Sequence, residues 1–224
     1  MRRVRNSELN PWWRVGVAVS AIIQTVLVRV RVEGIEQVPR SGPAILAFDH
    51  VSVLDGPVLA IEIGRRLRRE TRFLVASENF SLRVVGWILR RYDQIPIRRG
   101  HGDVGALDEA IRTVNAGALA AIAPEGRVNE RPDGGLLRIR HGTARIALPT
   151  GAPVIPVGVW GTQARWPHAG FSWGRPLRPT VGLVFGRPIL PTGDATDPSD
   201  IEAFTDRVRS GLEEQIARAR TLAS

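Results

Sequence analysis

"AILAFDHVSVLDGP", residues 44–57, decides how the rest of the chain is read. Its first five residues, Ala44 to Phe48, are apolar without alternation, the pattern of a strand covered on both faces. Four polar residues then crowd together, Asp49, His50, Ser52 and Asp55, and Gly56-Pro57 turns the chain into the helical pattern "GPVLAIEIGRRLRRE". A doubly covered strand feeding a helix is the unit of an open, largely parallel sheet, and such sheets collect ligands at the carboxyl ends of their strands. The His50 cluster sits at such an end.

The flanking sequence repeats the alternation. Upstream, Val30, Val32 and Ile35 mark a half-exposed strand and Pro39 to Pro43 a turn. Downstream come a strand "TRFLVAS", a helix over residues 80–92, a short strand "QIPIRR" and an amphipathic helix "GDVGALDEAIRTVNAG" stopped by Gly117. A buried strand "ALAAIAPEG", a helix "IRHGTARIALPTG" and strands "APVIPVGVWG" and "TVGLVFGRPI" follow. The last helix, 199–221, shows a capping box from Ser199 to Glu202 and an apolar face of Ile201, Phe204, Val208, Leu212 and Ile216. These elements predict one α/β domain over residues 30–224, with helices on both faces of the sheet.

Residues 1–29 differ. A basic head ends in Trp12-Trp13, and the mainly apolar run 15–28 is too short to span a bilayer, which takes about 20 residues. The run passes Ala18 and Ala21 toward a strand instead of stopping at a cleavage site, which reads against a secretory signal. Arginine, tryptophan and an apolar helix in this order suit an interfacial anchor; the alternative is a helix packed on the protein's own core with its tryptophans buried.

Composition narrows the partners. All 31 basic residues of the 224 are arginine, and the formal net charge is +9. That excess favours anionic partners such as phospholipid headgroups or a phosphorylated small molecule. The absence of cysteine excludes disulfides and thiolate chemistry, and the absence of lysine excludes a Gly-x4-Gly-Lys phosphate loop. Nothing resembles a recognition helix or an aromatic stacking platform, so nucleic acid is not expected. The four histidines lack metal-site spacing.

Three polar clusters lie at strand ends. His50 and Asp55 span a tight turn across which a carboxylate can fold back onto one ring nitrogen and leave the other free as a general base; Asp55 as a plain helix cap would occupy the same position. Arg98 and Arg99 close a strand before a glycine turn, where they can hold a phosphate or lie solvated on a basic surface. "APEGR" sets Glu125, Gly126 and Arg127 in a loop after a core strand.

The order of these clusters resembles the glycerolipid acyltransferases of the lysophosphatidic acid acyltransferase (PlsC-like) family. Its first block, a His, four residues and an Asp, looks like "HVSVLD", His50 to Asp55; its arginine block looks like "IPIRRG", with Arg99 at the arginine position. Its Pro-Glu-Gly block is matched by "PEGRVN", Pro124 to Asn129, and its proline-bearing strand by "VIPVGV", around Pro156. The family commonly has Asn where this chain has Asp49, an acid where it has Arg98, and an aromatic and Thr-Arg where it has Ala123 and Arg127-Val128. These departures crowd the region where the resemblance places the acceptor headgroup.

The resemblance implies the PlsC-like fold: a single domain with a central mixed, largely parallel sheet flanked by helices. It implies transfer of a fatty acyl group from acyl-CoA or acyl carrier protein to a hydroxyl of lysophosphatidic acid or a related lysophospholipid, in phospholipid biosynthesis. His50 would be the base, Asp55 its orienting acid, and Arg99, Glu125, Gly126 and Arg127 would bind substrate, with no cofactor or metal. A backbone amide such as that of Gly126 would serve as an oxyanion donor. With the N-terminal segment, this points to a monotopic enzyme on the cytoplasmic face of the membrane. The alternatives are a related acyltransferase acting on a glycolipid acceptor and a catalytically silent lipid-binding protein.

Overall fold

The computed structural model describes residues 11–98, 103–167, 170–174 and 176–224. In chain order the elements are α1 (Pro11–Leu27), β1 (Arg29–Glu33), β2 (Ala44–Phe48), α2 (Asp55–Leu67), β3 (Thr71–Ala76), α3 (Arg83–Arg91) and β4 (Ile95–Ile97). They continue with α4 (Val104–Asn115), β5 (Leu119–Ile122), α5 (Gly142–Thr150), β6 (Val154–Trp160), β7 (Thr180–Phe185) and α6 (Pro198–Ala223).

The strands form one sheet in the order β1-β7-β6-β2-β5-β3-β4, parallel at every pairing except β6 with β7. Every residue of β2 is buried, because its period of two feeds two cores. Leu46 and Phe48 pack with Leu59 and Ile63 of α2, while Ile45 and Ala47 pack with residues of α4, α5 and α6, including Ala110, Ile146 and Phe204. β2 lies between β6 and β5, and all three run in the same direction. Their carboxyl ends therefore open on one edge, at the place where the strand order reverses.

Helix α6 lies directly on the sheet because β6 and β7 carry glycine beneath it. A Cβ on Gly158 would come within 2.2 Å of the Gln215 carbonyl oxygen, and one on Gly182 within 2.2 Å of that of Ala219. The helix begins two residues earlier than its capping box suggested. Its cap is Asp197, which accepts from Ser199 N and Oγ, with Pro198 at the first helical position. The predicted helix over 80–92 is shorter, since Ser77–Ser81 form a 3-10 turn and Gly86 of α3 presses against the Phe80 carbonyl.

The tryptophan pair of α1 is divided. Trp13 is buried edge-on to Tyr92, whereas Trp12 is exposed with the Arg91 guanidinium 4.2 Å from its ring centre. No helix among the described residues is long and apolar enough to cross a membrane.

Candidate active site

β2 ends at Phe48, and the six residues before Asp55 form a tight turn closed by the Asp55 side chain. Asp55 Oδ2 accepts the amides of Val51 (2.8 Å) and Ser52 (2.7 Å) and meets His50 Nδ1 at 2.9 Å; Oδ1 accepts the Thr162 hydroxyl at 2.5 Å. The residue preceding the helix is Leu54, and no side chain caps it, so Asp55 faces backward into the turn instead of capping α2.

A fully buried carboxylate that accepts from three other donors leaves Nδ1 of His50 in the donor role. Nε2 then carries the free lone pair. The His50 side chain is 25% exposed while that of Asp55 is fully buried. The pair can therefore take a proton from outside and stabilise the resulting imidazolium from within.

The loop after β5 holds the His50 backbone from both sides. Glu125 Oε1 accepts the His50 amide at 2.8 Å, and the Asn129 amide donates to the His50 carbonyl at 2.6 Å. The other Glu125 oxygen accepts the Leu137 amide at 3.0 Å. Burial pushes the Glu125 carboxyl up from the usual range, against these two amides. Its geometry is that of a clamp on the His50 backbone, with each oxygen taking one backbone amide.

Gly126 turns the loop at φ +70°, and its amide donates to the Ala123 carbonyl at 3.0 Å. That amide is not open to an oxyanion in this arrangement. Arg127 is exposed, and among the described residues no hydrogen bond or ion pair holds its side chain. Arg99 and His101 lie outside the described residues. Arg98, just before them, is largely exposed; its amide donates to Asp103 Oδ2 at 2.9 Å, and Asp103 Oδ1 caps α4 by accepting from Ala106. These two amides hold the Asp103 carboxyl below its usual range.

Sequence reading missed Thr162 and Asn129. The only signal for Thr162 was a small hydroxyl residue two places after the end of β6, on the edge where β2 ends. Behind it, Arg165 is fully buried among backbone carbonyls, those of Leu27 at the end of α1 and of Ser172, Pro176 and Leu177. The Ser52 hydroxyl donates to the Trp166 carbonyl at 2.7 Å, fastening the same segment to the turn.

Fold and geometry together define an α/β protein with a hydrogen-bonded His–Asp pair at the carboxyl edge of its sheet. Residues 29–160, which contain all four sequence blocks, match the family model described as Acyltransferase, and the chain belongs to that family. An uncharacterized protein of Mycobacterium leprae is 34% identical over 150 residues, 62% of this chain and 38% of that protein. The chloroplastic 1-acyl-sn-glycerol-3-phosphate acyltransferase LPAT1 of Arabidopsis thaliana is 27% identical over 137 residues, 60% of this chain and 36% of that protein. The chain thus spans under two fifths of the length of these relatives. The crystal structure of the 1-acyl-sn-glycerophosphate (LPA) acyltransferase PlsC from Thermotoga maritima superposes with a TM-score of 0.70 at 26% identity, covering 92% of this chain and 80% of that one.

Proposed function

We propose that this chain moves a fatty acyl group from a thioester, acyl-CoA or acyl carrier protein, to a hydroxyl of lysophosphatidic acid or a related lysophospholipid. The observation that carries this reading is the His50–Asp55 pair, with Nδ1 held at 2.9 Å and the ring reaching solvent. Nε2 takes the acceptor's hydroxyl proton as its oxygen attacks the thioester carbonyl. The tetrahedral intermediate collapses with expulsion of the thiolate, and the imidazolium returns its proton to that sulfur. Asp55 stabilises the charge on the ring throughout. The acceptor's oxygen is itself the nucleophile, so no acyl-enzyme is needed.

Arg127, exposed in the loop whose Glu125 holds the His50 amide, is the proposed phosphate ligand, and the family resemblance implies the same role for Arg99. The names of the plant and Thermotoga relatives support the choice of acceptor. Purified protein given labelled acyl-CoA and a panel of lysophospholipids, glycerol 3-phosphate and glycolipids tests reaction and acceptor together, with His50→Ala as control. Product with lysophosphatidic acid that disappears in the control supports the reading. Product with a glycolipid alone reassigns the acceptor, and equal turnover by His50→Ala removes the base.

The same proposal places the enzyme peripherally on the cytoplasmic face of a phospholipid membrane. Its support is the exposed apolar face of α1, Val15, Val19, Ile22, Ile23 and Val26, together with Val84, Trp87 and Ile88 of the arginine-flanked helix α3. Replacing Val19, Ile22 and Ile23 by Glu is expected to abolish sedimentation with anionic vesicles at high salt. Unchanged sedimentation would overturn the placement.

A further inference from the structure

Asp49, the residue before His50, is only 2% exposed. Its Oδ1 accepts the Val159 amide of β6 at 2.6 Å, and its buried Oδ2 has no hydrogen-bond partner. The side chain lines a small cavity together with Glu125, Asn129, Leu136 and Trp160. Three buried carboxyl groups, Asp49, Asp55 and Glu125, therefore lie in and around the turn that carries His50.

Donor counts separate them. Asp55 takes four hydrogen bonds and Glu125 takes two, one on each oxygen, whereas Asp49 takes one. An ionised carboxylate only accepts, so a buried oxygen with no donor is the poorest place for negative charge and the best place for a proton. Around Asp49 stand His50 on its own strand end, Asp55 at the start of α2 and Glu125 from the loop after β5. From α6 comes Arg220, whose guanidinium lies 3.9 Å from the centre of the Trp160 ring and donates to the Pro132 carbonyl. Among the described residues no ion pair joins Arg220 to Asp49.

We propose that Asp49 acts as a neutral carboxylic acid, a positioning residue that fastens the strand end carrying His50 to β6 without adding a third negative charge beside the imidazole. Burial, reinforced by the charges of Asp55 and Glu125, pushes the Asp49 carboxyl well above its usual range, in keeping with this arrangement. An amide has nearly the same shape, keeps an acceptor for the Val159 amide and carries N–H donors where the acid has its O–H, so Asp49→Asn reproduces the neutral form permanently. The inference rests on the acyl-transfer reading for its effect on rate, but the charge state of Asp49 can be measured without it.

The test uses the full-length protein, Asp49→Asn and Asp49→Val. At pH 7 the infrared spectrum of the wild type is expected to show a protonated-carboxyl band that Asp49→Asn lacks; identical spectra would overturn the proposal. The sign of the stability change follows from linkage. A carboxyl whose folded pKa is raised stabilises the fold below its unfolded value, near 3.9, and that contribution is lost as pH rises through the folded value. Asp49→Asn is therefore expected to gain melting temperature over the wild type as pH rises above about 4, and a constant difference would count against the idea. In acyl transfer, Asp49→Asn is expected within about threefold of wild type at neutral pH and to retain activity further into alkali, while Asp49→Val loses about tenfold or more. If Asn falls as far as Val, the charged carboxylate is required and the proposal fails. If no acceptor is acylated, the infrared and melting arms still decide on Asp49, and the acyl-transfer reading falls separately.

Discussion

Helix α2 carries two fully buried carboxylates, Asp55 at its first residue and Glu62 two turns on, and they do different things. Asp55 gathers two backbone amides, a hydroxyl and an imidazole that reaches solvent. Glu62 takes the Gln24 amide of α1 at 2.6 Å, Arg65 at 3.0 Å and Arg66 at 2.7 Å, and so ties α1 to the domain. Burial and full pairing are common to both. Only one has a partner that can exchange a proton with something outside, and that partner is what the proposed reaction needs and a structural tie lacks.

Substitution sharpens the contrast. Asp55→Asn keeps the shape but removes the charge opposite the ring, so acyl transfer should drop about 10³-fold with little change in melting temperature. A drop below tenfold would put Asp55 in the same structural class as Glu62. Glu62→Ala should do the reverse. It leaves the buried Gln24 amide without an acceptor and opens a cavity, a loss of about 2 kcal/mol, visible in urea unfolding, with turnover of the folded protein nearly preserved. The two arginines remain half-exposed and hydrated, which limits the loss. Thr162→Val is the finest of the three. It removes one of four donors from Asp55, and a rate loss of about tenfold is expected, with the pH profile of kcat displaced and the fold intact. An unchanged profile would show that the hydroxyl only fills space.

Much of this was legible in the sequence because it is local. The apolar run Ala44 to Phe48 announced a doubly covered strand, and the spacing of His50 and Asp55 fits a turn that a carboxylate can close. The order of the strands was not legible, since nothing in a parallel strand's pattern names its neighbours; nor was the antiparallel entry of β7. The hold of Glu125 on the His50 and Leu137 amides was not legible, because sequence shows that a carboxylate is in a loop, not which amides fold against it. Trp12 and Trp13 illustrate the same limit. Adjacent on a helix, they point about 100° apart, so one can be core while the other faces solvent.

The hydrogen bond from Thr162 to Asp55 joins residues 107 apart in the chain, and Glu125 reaches His50 across 75. The dyad itself needs only six residues, but the groups that hold it arrive from far away. Contacts of such long separation cost more loop-closure entropy than the local turn does. During synthesis, a chain that has not yet reached residue 162 has both members of the dyad and no donor for the second oxygen of Asp55. The site is thus incomplete until residue 162 has been made, although both residues of its dyad lie in the first quarter of the chain.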